Sequence, residues 1–287
     1  MLIQWYPGHM TKAKRAMQED IKLVDLIIEL LDARIPLSSR NPDIDTLAKG
    51  KFRMVLLNKA DLADNAATEA WIDYFKKAGI TAIALDSRAK TKMRDIQNKM
   101  LDVCKEKIER DKRRGIQNRP IRAMVVGIPN VGKSTFINSF AGKSAAKTGN
   151  KPGVTRGNQW IKLNKNAELL DTPGILWPKF DDETVGTHLA YIGSVSDDVV
   201  DSEELGYEFI KEFLNTGRTD VLKARYETDP ENFREEDRDY VLSVMEGIAL
   251  KRNCLKKGGE ADTLKFSKIL LDDFRTGRLG KLTIEMP

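Results

Sequence analysis

Gly127-Ile128-Pro129-Asn130-Val131-Gly132-Lys133-Ser134 sets two glycines, a lysine and a hydroxyl at the spacing of a phosphate cradle. The glycines let backbone N–H groups curl around an anion, and a helix opening at Lys133 adds its positive end. Lys133 is expected to reach the terminal phosphates and Ser134 to offer its hydroxyl to Mg2+. Asn130, Val131, Gly132 and Thr135 complete the cradle. Asn58-Lys59-Ala60-Asp61 carries base-reading chemistry. A carboxylate at Asp61 can accept from both N1–H and N2–H2 of guanine, a donor pair that adenine lacks. Asn58 can tie the loop and Lys59 can lay its stem over the ring, with Ala60 between them and the carboxylate. In Asp171-Thr172-Pro173-Gly174, Asp171 is placed to hold Mg2+ through water. Gly174 can give its N–H to the terminal phosphate.

Two further segments are assigned by position. Thr155, in Lys151-Pro152-Gly153-Val154-Thr155, is the expected switch threonine that closes on the metal and the γ-phosphate. The polar, glycine-bearing stretch Gly142–Gly157 around it suits a segment that changes conformation. Asp86-Ser87-Arg88-Ala89 is expected to run behind the base, although a turn after a strand explains Ser87 and Arg88 equally well.

These motifs need strands to place them. Apolar runs at Leu23–Leu31, Met54–Leu57, Ile80–Leu85, Ile121–Val126 and Glu168–Leu170 read as buried parallel strands. Helical stretches at Ala66–Lys77, Lys92–Arg110 and Lys133–Ala141 separate them. The alternation predicts an α/β domain with a mostly parallel sheet, whose ligands bind beyond the carboxyl ends of the strands. The Asn58, Asp86, Gly127 and Asp171 motifs each directly follow a predicted strand. After Phe180 the pattern turns helical: Leu205, Phe209, Ile210, Phe213 and Leu214 fall at helix spacing, as do Val241, Val244, Met245 and Ile248. A G domain over 1–180 and a small all-α domain over 181–287 are therefore expected.

Charge divides at the same place. Residues 1–180 hold 33 basic against 19 acidic side chains, and residues 181–287 hold 15 against 24. So basic a first part suggests a polyanionic partner, while the acidic stretch argues against uniform coating of nucleic acid. Basic groups at Lys12–Arg15, Lys105–Arg114 and Lys251–Lys257 are candidate phosphate contacts. Cations near helix C-termini also serve the helix dipole, so the third group reads either way. No apolar run reaches the length of a membrane span, and Met1–Arg15 turns basic too soon for a secretory signal. Cys104 and Cys254 lie far apart with no metal-type spacing, which reads as two reduced thiols in the cytoplasm.

The motifs resemble the five guanine motifs of translation-factor-related GTPases, but in another order. The Asn58 and Ser87 motifs come before those at Gly127, Thr155 and Asp171. That order is a circular permutation of a Ras-like P-loop GTPase domain. Trp5-Tyr6-Pro7-Gly8-His9-Met10, Asp32-Ala33-Arg34-Ile35-Pro36 and Asp171-Thr172-Pro173-Gly174-Ile175-Leu176-Trp177-Pro178 are similar to segments of the ribosome biogenesis GTPase A family. These are permuted GTPases with a hydrophobic residue at the catalytic glutamine position, here Ile175. The resemblance spans the chain. It implies GTP hydrolysis in late assembly of the large ribosomal subunit, with rRNA and ribosomal proteins as partners and an RNA-binding helical tail.

The resemblance also implies two substitutes for the missing glutamine. His9 becomes the residue that positions water, for which an imidazole has a suitable pKa range. A histidine in an N-terminal turn also serves packing. Asn130 matches the asparagine that holds K+ in cation-dependent relatives, though a loop asparagine also bonds its own backbone. His188 reads as structural. The competing expectation is a nucleotide-gated RNA-binding scaffold in which hydrolysis is incidental.

Overall fold

The computed structural model of the chain describes residues 8–116, 119–142, 159–177, 180, 182–233 and 239–287, with only the backbone of His9 and Gln159. The first unit holds six strands. They are β1 (Leu26–Asp32), β2 (Phe52–Asn58), β3 (Thr81–Leu85), β4 (Ile121–Val126), β5 (Gln159–Lys162) and β6 (Ala167–Asp171). The sheet order is β3-β2-β1-β4-β6-β5. Every pairing is parallel except β5 with β6. The expected mostly parallel α/β sheet is therefore present. β4 is central, the strands before it in the chain lie on one side, and those after it lie on the other. A chain opened between β6 and β1 and joined at its ends would give this arrangement, which is the spatial meaning of the permuted motif order.

Burial on both faces explains the unbroken apolar strands: all seven residues of β1 are buried. On one face, Leu31, Val55 and Leu57 pack with Trp71 and Phe75 of α3 (Asn65–Lys77). Asp64 caps α3 by accepting from the N–H of Ala67 at 2.8 Å. The remaining helices of this unit are α1 (Gly8–Asp20), α2 (Asp43–Leu47), α4 (Met93–Val103), α5 (Lys105–Arg113) and α6 (Lys133–Ala141). The single helix expected over Lys92–Arg110 is thus two, parted at Cys104. The i to i−4 bonds run on through Cys104, so the two helices are parted by one residue without a loss of backbone bonding. Register aligns the strand ends: Asp32 pairs with Asn58, Asn58 with Leu85, and Val125 with Asp171. The described motif loops, after β2, β3, β4 and β6, consequently leave the same edge of the sheet.

The described residues of 181–282 form a second unit. It contains α7 (Glu183–Tyr191), α8 (Ser202–Asn215), α9 (Thr219–Tyr226), α10 (Tyr240–Lys251) and α11 (Thr263–Thr276). Its centre is Phe209, whose ring lies 4.6 Å from that of Tyr191 and 5.0 Å from that of Phe274. α8 and α11 approach so closely that a Cβ on Gly206 would meet the Ser267 Cβ at 2.5 Å. His188 is buried, with Nε2 3.3 Å from Glu212 Oε1. The helical expectation reached to residue 287, but Thr283–Pro287 pack with the first unit.

Candidate functional site

Three of the predicted loops are held together by one side chain. Asn58, at the end of β2, donates from Nδ2 to the Val131 carbonyl in the phosphate loop at 2.7 Å. Its Oδ1 accepts from the Ser87 N–H at 3.1 Å and the Ser87 hydroxyl at 2.6 Å. Ser139 of α6 then donates to the Ser87 carbonyl at 2.6 Å. Ser87 is thus tied to the Asn58 loop and to α6, and its turn is not an isolated one. Gly132 lies so near that a Cβ there would stand 2.4 Å from Asn58 Nδ2, at a φ of +99° that disfavours side chains anyway. Asn130 is also left-handed, at φ 58°.

Lys133 is buried, and its ammonium donates to the carbonyls of Gly127 at 3.0 Å and Ile128 at 2.8 Å. Burial lowers its pKa to about 8, against the pull of Asp171. Asp171, at the end of β6, is pushed the other way: burial raises it to about 6, opposed by Lys133. Among the described residues Asp171 Oδ1 is a buried oxygen with no hydrogen-bond partner. A buried carboxylate oxygen left open beside a lysine suits a cation and a polyphosphate together. Gly174 completes this corner, because a Cβ on it would sit 2.8 Å from the Pro129 backbone and 2.9 Å from Lys133 Nζ. Ile175 is buried and donates its N–H to the Gly127 carbonyl at 3.3 Å, so its side chain offers nothing to water.

At the base-reading end, Asp61 Oδ2 bonds the Arg88 guanidinium, while Oδ1 is buried and unpartnered among the described residues. Lys59 is left-handed at φ 59°, and its ammonium meets Asp32 Oδ2 at 3.0 Å. Ala60 ties the loop to β3 through its N–H and the Leu85 carbonyl at 3.0 Å. Ser134 and Thr135 are half-buried at the start of α6. Thr155 lies outside the described residues, as does the stretch 143–158 around it. His9 falls in the first turn of α1.

Sequence reasoning missed three contributors. Asp32 and Arg34 form a buried pair against Lys59. Asn41 holds the Ile175 carbonyl with Nδ2 at 3.3 Å. Thr283–Glu285 bond the loop after β1. An aspartate closing an apolar strand with an arginine two residues on was the visible signal for the first.

A sequence-family model described as a 50S ribosome-binding GTPase matches residues 122–245. The match starts within the phosphate-loop strand, in keeping with a motif order in which that loop comes first. Ribosome biogenesis GTPase A of Bacillus cereus is 47% identical over 287 residues, covering 100% of this chain and 95% of that protein. The protein of the same name from Thermotoga maritima is 31% identical, covering 99% and 95%. Among solved structures, a GDP-bound YlqF from T. maritima has a TM-score of 0.66 at 27% identity, over 94% of this chain and 98% of that one. A GNP-bound YlqF from the same organism has a TM-score of 0.65 at 28% identity, over 96% and 98%.

Proposed function

The chain belongs to the ribosome biogenesis GTPase A family and is a GTP-hydrolysing enzyme of ribosome biogenesis, and from that premise we propose that it acts in late maturation of the large (50S) subunit. Its partners in this reading are GTP or GDP, rRNA and ribosomal proteins, and its place is the cytoplasm. No described helix is long and apolar enough to cross a membrane. The observation that carries the reading is the Asn58 junction, which fixes a guanine-type loop against a phosphate loop. The relatives' printed names supply the ribosome.

Asp61 reads the guanine edge with the oxygen that Arg88 leaves open, and Lys59 covers the ring. Asn58, Ala60, Ser87, Arg88, Asn130, Val131, Gly132, Lys133, Ser134, Thr135, Thr155 and Gly174 complete nucleotide binding. The orphaned Asp171 oxygen beside Lys133 fits a divalent cation, with Ser134, Thr155 and Asp171 (through water) as its holders. A Mg2+ held by these residues would supply positive charge to offset that of the bound phosphates. Asn130 is the residue for K+, which would do an arginine finger's electrostatic work. His9 positions the attacking water, since Ile175 is turned into the core.

The scaffold reading differs in one outcome. A His9→Ala variant that binds GTP normally should stay on the large subunit and block its maturation if hydrolysis times release. Normal release and maturation with that variant would favour the scaffold. Turnover in KCl against NaCl at equal ionic strength tests the K+ role: faster hydrolysis in KCl is expected, and equal rates would remove it.

A further inference from the structure

The segment Asp32-Ala33-Arg34 does nothing in the reading above, yet it is built with care. Asp32 is fully buried at the end of β1. Its carboxylate takes a two-pronged bond from Arg34, Nε to Oδ1 at 2.8 Å and Nη2 to Oδ2 at 2.8 Å. The Arg34 N–H adds a third at 3.1 Å, and Asp32's own N–H donates to the Ser39 hydroxyl at 3.0 Å. Arg34 itself is 1% exposed, so neither partner meets solvent. Burial pushes the Asp32 carboxyl up, but Arg34 and Lys59 together hold it well below the ordinary carboxylate range. Outside its own turn the Asp32 carboxylate meets the Lys59 ammonium, which stands in the guanine-type loop in a left-handed conformation that a non-glycine residue seldom adopts.

The turn is held in its own right by residues from the far end of the chain. The Thr283 hydroxyl accepts from the Asp64 N–H at 3.1 Å and donates to the Ala33 carbonyl at 3.3 Å. The Ile284 N–H donates to the Arg34 carbonyl at 2.8 Å. The Glu285 carboxylate accepts from the N–H groups of Leu37 at 2.7 Å and Ser38 at 3.1 Å. Its carbonyl accepts from Trp71 Nε1 at 3.0 Å. These bonds brace both the Ala33–Ser38 turn and the start of α3, the two stretches that flank Lys59–Asp61 in the fold.

We propose that Asp32, backed by Arg34 and by Thr283–Glu285, is the positioning residue for guanine-base binding, acting by holding the Lys59 ammonium so that the stem covers the ring. This rests on the assignment of Asn58–Asp61 to the base. Asp32 touches no nucleotide atom in this scheme. Its effect passes through Lys59 and concerns the base alone, because Lys133 and the phosphate loop grip the phosphates separately.

The test is a set of Kd measurements with fluorescent GDP, alongside competition by inorganic tripolyphosphate, which has phosphates and no base. Asp32→Asn should weaken GDP about tenfold and leave tripolyphosphate inhibition within about twofold. In a Lys59→Ala background the Asp32→Asn loss should vanish, since the two act as one unit. Thr283→Val and Ile284→Pro, which remove the hydroxyl and the N–H at the turn, should show the same base-limited loss to a smaller degree. They also carry the test if Asp32→Asn does not fold. Unchanged GDP affinity in the folded variants, equal losses for GDP and tripolyphosphate, or a full Asp32 effect without Lys59 would each overturn the proposal. Asp61→Asn separates the premise: it should shift preference from GDP to XDP, whose C2 carbonyl accepts where guanine donates. No shift would fault the base assignment itself, whatever Asp32 does.

Discussion

Lys133 and Asp171 are perturbed in opposite directions by the same burial, and this fixes how the site responds to pH. Asp171 keeps its proton up to about 6 when folded, above its ordinary 3.8, so the folded state holds the extra proton between those values. Stability of the nucleotide-free protein therefore falls as pH rises from about 4 to about 6. Lys133 gives up its proton at about 8, below its ordinary 10.5, so the unfolded chain holds more protons above that point. Its contribution to stability consequently recovers toward alkaline pH. Binding shows the complementary profile, because it needs Asp171 ionised and Lys133 charged. Association of magnesium-loaded GDP should rise through about pH 6 and decline above about 8, as read by calorimetry. A flat profile between 5 and 9 would contradict these assignments. Gly174→Ala belongs at this scale too. Its Cβ has no room against Pro129 and Lys133, so a cost of about 1–3 kcal/mol in thermal unfolding is expected, with a larger loss of GTP than of GDP binding. The Asn58, Ser87, Lys133 and Asp171 motifs stood out in the sequence because each follows an apolar strand, whereas Thr155 and His9 follow none and were assigned by position and by resemblance. Asp32 was less so, since its role depends on Lys59, whose approach follows from the β1–β2 register.

Elements decide which of these residues can act together. Asn58→Ala removes a donor and an acceptor that join three loops, leaving the Val131 carbonyl and Ser87 hydroxyl without them. A loss of about 1–3 kcal/mol in stability is expected, together with weaker GDP binding. Gly206→Ala is its counterpart in the helical unit. It overfills the contact of α8 with α11 and should cost about 1–3 kcal/mol in unfolding while leaving GDP affinity as it was. Equal effects on nucleotide binding from both substitutions would show that the Asn58 result reflects general damage. The inner strands were readable because burial on both faces makes them continuously apolar, and β3, though half-buried at the sheet edge, keeps an apolar run. β5 was not, since Gln159–Lys162 is a short edge strand whose pairing comes only from β6. α1 escaped because its buried side is thin: Met10 and Met17 are buried, while polar and charged residues fill most of the rest. The break at Cys104 has no proline or glycine to announce it.

At the scale of the whole molecule the permutation sets the connectivity. β4 sits at the centre of the sheet, and the guanine-type loop reaches it from strands that come earlier in the chain. The helical unit follows Phe180 in the chain, and Thr283–Pro287 then return to the first unit. This return carried no hydrophobic periodicity in the sequence, because its contacts are mainly backbone and hydroxyl bonds. The excess of basic residues in 1–180 predicts that association with the large subunit weakens steeply with salt, and salt-insensitive binding would count against a phosphate-directed surface. The central claim is that this chain is a GTPase whose turnover answers to the large ribosomal subunit. The direct measurement is GTP hydrolysis in potassium with and without purified large subunits. Slow turnover alone and a marked rise with subunits is the predicted result, and the same rate in both would contradict it.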